Sequence, residues 1–104
     1  MGENERTSWD DAKREENIRK HLFDFVAVQE VFDGRFVLVR RDERRDYGEP
    51  RYNMLARLKG VVVNVTFTPR GDKHHLISVR PASRRERRAY HAQEHAQAHA
   101  QEGR

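Results

Sequence analysis

The chain has 104 residues, 36 % of them apolar and 37 % charged, and it contains no cysteine. That length fits one small domain with a modest core, and the missing thiols exclude both a disulfide framework and a thiolate zinc site. No apolar run reaches the length of a signal-peptide core or a membrane span, which predicts a cytoplasmic protein with no membrane partner.

The net charge of +4 is unevenly spread. Residues 1–33 carry five Lys or Arg against nine Asp or Glu, and residues 34–104 carry sixteen against eight, nearly all of the sixteen being arginine. Arginine grips phosphate with a planar pair of donors, so the basic part predicts a nucleic-acid partner.

Residues 1–8 are expected to be disordered. Residues 9–21 predict a first helix with sparse apolar positions at Trp9, Ala12 and Ile18. Residues 24–33 predict a second, with Phe25, Val28 and Phe32 recurring at i, i+3 and i+7 beside Val31. Glycines at 34, 48, 60 and 71 then separate four β-rich runs, at 35–41, 51–58, 61–68 and 73–80, which read as consecutive antiparallel strands. A two-residue turn at Lys59-Gly60 pairs Leu58 with Val61 and fixes the register. Tyr52, Met54, Ala56 and Leu58 then share an apolar face with Val61, Val63, Val65 and Phe67, continued by His75, Ile77 and Val79. The opposite, polar face carries Arg51, Asn53, Arg57, Thr66, Thr68, Ser78 and Arg80.

Ser83-Arg84-Arg85-Glu86 is a capping-box signature that opens a third helix running to about Gln101. That helix has little to bury beyond Tyr90 and several alanines, so it is expected to be either solvated or covered and ordered by a partner chain. The predicted architecture is α+β: two N-terminal helices packed on a four-stranded antiparallel meander, then a C-terminal helix. Residues 9–90 form the single domain, and residues 91–104 form a helical, fraying tail rich in His, Ala and Gln.

Several short runs, taken in order, carry a likeness. They are Trp9-Asp10-Asp11-Ala12-Lys13, Asn17 and Lys20-His21; then Phe25, Ala27 and Val31-Phe32; then Asp46-Tyr47-Gly48-Glu49 with Arg51. Phe67-Thr68-Pro69-Arg70, Ile77-Ser78-Val79-Arg80, Glu86-Arg87 and Tyr90 complete the set. Together they resemble the BrnT family of toxins over residues 9–90. Leu22 departs from the family's usual Gly after the Lys-His pair, Pro50 stands where a second acidic residue is common, and Asp11 replaces a usual Pro. The resemblance implies a fold related to RelE-like toxins and a metal-independent ribonuclease that blocks translation. It also implies neutralisation by a BrnA-like ribbon-helix-helix antitoxin in a heterotetramer, with operator DNA reached only through the antitoxin.

Cleavage of RNA without a metal requires a base, an acid and cations around the phosphate. No cofactor is expected. His21 is the candidate base or acid, because imidazole titrates near pH ~6.5. Glu49 is a second candidate base, or holds an arginine in place. Arg51 and Arg80 project from one sheet face and are the candidate phosphate grip, completing the catalytic set. Lys13, Lys20, Arg57 and Arg70 are the candidate RNA contacts. Arg84, Arg87 and Arg88 on the third helix, with Tyr90 as anchor, are the candidate antitoxin contacts. His91, His95 and His99 have helical chelate spacing but are read as an incidental feature rather than a metal site. The competing reading is a nucleic-acid-binding module that does no chemistry; His21 together with Glu49 separates the two.

Overall fold

The computed structural model of the chain describes residues 1–102, with side chains through residue 98. In chain order it contains β1 (Gly2–Glu3), β2 (Thr7–Trp9), α1 (Asp11–His21), and α2 (Phe25–Val28) running into a 3-10 turn (Gln29–Phe32). β3 (Val37–Arg41), β4 (Tyr52–Leu58), β5 (Val61–Arg70), β6 (Lys73–Pro81) and α3 (Arg84–Glu102) follow.

The strands form one six-stranded mixed sheet in the order β1-β2-β6-β5-β4-β3, not the four-stranded antiparallel meander expected from the sequence. The two added strands come from the N-terminal segment that was expected to be disordered. β2 lies parallel to β6, and the other pairs are antiparallel. Side chains rather than strand propensity recruit this segment. Asn4 Oδ1 accepts from the Thr7 backbone N–H at 2.9 Å and from the Thr7 hydroxyl, closing a tight turn. His74 N–H donates to Arg6 O, and Trp9 is buried in the core.

The Lys59-Gly60 turn forms as the spacing predicts, with Leu58 opposite Val61. Both turn residues have positive φ, 52° and 82°, the geometry that matches strand twist in a two-residue hairpin.

The expected pair of N-terminal helices is also corrected. α1 begins at Asp11 because Trp9 belongs to β2, and Asp10 caps it by accepting from Lys13 N–H. The second predicted helix is only one α turn, capped by Asp24 and continued as 3-10. β-Branched Val26, Val28 and Val31 favour helix weakly, and the single α turn still buries Phe25 and Val28 while the 3-10 turn buries Val31. These three pack with Trp9, Met54, Val65, Phe67, Leu76 and Val79 as the main core.

β2 pairs β6 only at residues 74–76. Beyond that point Asn17 of α1 takes the place of a strand. Its side chain donates to Val79 O at 2.8 Å and accepts from Val79 N–H at 2.9 Å. A buried amide with both of its ends bonded to one strand residue fixes α1 on the β6 edge.

The opposite face of the sheet holds a second core. Leu55 and Val62 pack with Ala82 and Tyr90, beside Phe36 and Leu38. α3 therefore docks on its own domain, contrary to the expectation that it is either solvated or ordered by a partner. Tyr90 is 1 % exposed, with its hydroxyl donating to Phe36 O. It is not free to anchor an antitoxin. The predicted capping box is present: Glu86 accepts from Ser83 N–H, and Ser83 Oγ accepts from Glu86 N–H. Among the described residues no helix is long and apolar enough to cross a membrane.

Candidate active site

A β-bulge decides which β6 side chains reach the polar face. The register steps between Thr66 and Phe67, so Thr66 faces Ser78 whereas Phe67 faces Leu76. Ile77 is the extra residue. Leu76, not Ile77, enters the main core with Val79, and His75 turns to the polar face, reversing its predicted side. A bulge re-aims a side chain in this way without changing the sequence pattern.

On that face one row now crosses the sheet. Ser8 faces His75, His75 faces Thr68, and Thr68 is beside Arg51, the residue before Tyr52, which faces Phe67. Ser8 Oγ and His75 Nδ1 are 2.9 Å apart and buried. Burial and the neighbouring Arg70 hold the His75 imidazole below its ordinary value of 6.5, against Glu49 and Asp10, which act upward.

The guanidinium carbon of Arg51 lies over the Tyr47 ring, 4.0 Å from its centroid. The Tyr47 hydroxyl donates to buried Asp42, whose carboxyl is held well below its ordinary range chiefly by Arg44. The 42–51 loop is thus tied internally by charge, and it presents Arg51 and Glu49 along one cleft. Glu49 accepts from Arg70 at 3.3 Å.

Four buried polar side-chain atoms have no hydrogen-bond partner among the described residues. Three of them, Arg51 Nε, Thr68 Oγ1 and Asn64 Oδ1, belong to this one sheet face. Buried polar atoms are normally satisfied, and an orphan costs about 1–3 kcal/mol. Their concentration leaves this face, more than any other part of the described structure, with unmet hydrogen-bonding capacity.

The candidates read from the sequence fall into three places. Arg51, Glu49 and Arg70 share the loop end of the polar face. Arg80 lies on the same face in a second cleft with Asn53, Asn64 and Arg85. It is held there by a two-pronged bond to Glu86, at 2.8 and 3.1 Å, and Asn64 donates to the same carboxylate. Arg80, ahead of Ser83 and Asn64, pulls the Glu86 carboxyl down to about 2. His21 lies in a third cleft at the β6 edge, with Lys13, Lys20, Ile77 and Ser78, and not beside Arg51 or Arg80. Lys20 is paired with Glu16.

Arg57 binds Glu94 of α3 at 2.9 Å and lies over Tyr90, so it fastens α3 to the sheet. Arg84 and Arg88 are exposed, while Arg87 donates to Ala82 O. Among the described residues no three His, Asp or Glu side chains gather as a metal site. His91 faces Glu94, and the His99 side chain lies outside the described residues. Sequence reading missed His75, Ser8 and Asn64. No signal in the sequence announces the bulge that selects His75, because Leu76 and Ile77 are both apolar.

Residues 9–86 match the model of a family described as the ribonuclease toxin BrnT of type II toxin–antitoxin systems. No curated protein matches the chain.

Proposed function

The chain belongs to the BrnT family of type II toxin–antitoxin ribonuclease toxins, and from that premise we propose that it is a metal-independent endoribonuclease whose substrate lies on the polar sheet face. The family places an antitoxin among its partners. The observation that carries the site is the set of orphaned polar atoms, Arg51 Nε, Thr68 Oγ1 and Asn64 Oδ1, on one arginine-lined face. A phosphodiester with its flanking ribose carries both acceptors and donors and so matches the character of such a face, which apolar or cationic ligands do not.

In this reading the RNA 2′-hydroxyl attacks the adjacent phosphorus, and negative charge builds on the phosphate oxygens. Arg51 and Arg70 stabilise that charge. Arg51 is preorganised by its position over Tyr47, and Arg70 is held by Glu49, so neither reorganises as the charge develops. Arg80 meets the next phosphate once it parts from Glu86. His21, Lys13 and Lys20 extend the basic surface past the β6 edge. Cleavage of RNA blocks translation in the cytoplasm. A BrnA-like ribbon-helix-helix protein, in a heterotetramer, neutralises the toxin and connects it to operator DNA.

Incubating the purified protein with total RNA, with and without EDTA, tests the proposal. Cleavage should survive the chelator and leave 2′,3′-cyclic or 3′-phosphate ends. Magnesium-dependent products with 3′-hydroxyl ends refute the mechanism, and RNA binding without cleavage marks a non-catalytic binding module.

A further inference from the structure

The cleavage reaction needs a group that takes the 2′-hydroxyl proton, and neither sequence candidate is well placed for it. Glu49 is committed to Arg70, and His21 opens onto a separate cleft. We infer that His75 is the base, positioned by Ser8 across the β2–β6 pair. The inference deepens the ribonuclease reading and rests on it.

Three observations carry the assignment. First, His75 stands in the same cross-strand row as Thr68 and Arg51, and adjacent strands are only about 4.8 Å apart. The two neighbouring side chains hold orphaned polar atoms, so the row combines a titratable ring with unmet donors on one line. Second, Ser8 Oγ fixes the ring through Nδ1 at 2.9 Å. That contact lets Nδ1–H donate to Ser8, which leaves the lone pair on Nε2, where no protein hydrogen bond is made among the described residues. This is the tautomer a proton acceptor requires. Third, the charged groups that bear on the ring come from three elements: Arg70 of β5, Glu49 of the loop before β4 and Asp10 after β2. Arg70 and burial outweigh the two carboxylates, so the ring is neutral, and able to accept a proton, at pH 7.

The step balances as follows. The O2′–P bond forms while the P–O5′ bond breaks; the 2′-hydroxyl proton passes to His75 Nε2. The departing 5′-oxygen takes a proton from solvent water, and the hydroxide so formed takes the proton from the His75 imidazolium, which restores the neutral ring as the 2′,3′-cyclic phosphate leaves. Arg51 and Arg70 hold the phosphate oxygens meanwhile.

The full-length protein, His75→Gln and Ser8→Ala are assayed on a short single-stranded RNA from about pH 4.5 to about 8. The wild type should lose activity as pH falls through a value below 6.5. His75→Gln should cut about 100-fold more slowly or worse, with that acid limb gone. Ser8→Ala should lower kcat, leave KM unchanged and move the limb. A folded His75→Gln protein that cleaves within about threefold of wild type, with the limb unchanged, overturns the assignment while leaving the ribonuclease reading intact. A wild type that cuts no RNA overturns both. An NMR titration of the wild-type protein with a 2′-O-methyl oligoribonucleotide covers a failure of His75→Gln to fold: the His75 ring resonances should move on binding, and unmoved resonances overturn the assignment.

Discussion

Glu86 links three parts of the molecule, and replacing it with Gln separates their contributions. Its carboxylate caps α3 at Ser83, receives Asn64 and takes both prongs of Arg80. Glu86→Gln retains an acceptor for the cap but removes the charge. The carboxyl falls from 4.5 to about 2 on folding, equivalent to about 3 kcal/mol at ~1.4 kcal/mol per tenfold. Arg80 is 41 % exposed, and solvent screening reduces the expected loss to about 2 kcal/mol at pH 7. A carboxyl whose folded value is depressed contributes fully above 4.5 and loses its contribution as pH falls toward about 2. Urea unfolding of both proteins across that range is the assay. The gap should be near 2 kcal/mol at neutral pH and close progressively below pH 4.5. A gap under about 0.5 kcal/mol at pH 7, or one that persists unchanged at low pH, refutes the charge account. The same substitution frees Arg80, so RNA affinity should rise; weaker RNA binding by the folded variant argues against Arg80 as a phosphate contact.

Tyr90→Ala should destabilise the protein by about 3–5 kcal/mol, since a fully buried ring is lost from the second core; a loss under about 1 kcal/mol by denaturant unfolding means α3 is not docked there. Leu22 ends α1 at φ 62° with its side chain 87 % exposed, so Leu22→Gly should raise stability by about 0.5–1 kcal/mol through relief of left-handed strain. A lower Tm for that variant counts against the strain.

The long hairpins were legible because each strand announces itself twice, by alternation and by a glycine at its end. Leu58 opposite Val61 follows from the turn alone. β1 and β2 were not legible: strands of two and three residues have no period, and an asparagine turn and a tryptophan hold them. The second core escaped because Leu55 and Val62 sit among polar neighbours on a face read as wholly polar, and only the docked helix reveals them as a pair. For the site, the sheet side of Arg51 and Arg80 could be read from the strand pattern, but their separation into different clefts could not. The 42–51 loop that sets it is built from Asp42, Arg44 and Tyr47 contacts rather than from any periodic signal. His75 was assigned to the wrong face because alternation assumes an unbroken ladder.

The parallel pairing of β2 with β6 has a consequence during synthesis. Ser8 and His75 are 67 residues apart and meet only when the first strand pair lies beside the last long strand. On the ribosome β2 emerges before β6 and has only β1 beside it until β6 has cleared the exit tunnel. The polar row therefore exists only once β6 has been made. A nascent copy that stops before β6 lacks it, so the ribosome making this protein, and the message it is reading, meet no assembled row until β6 has emerged.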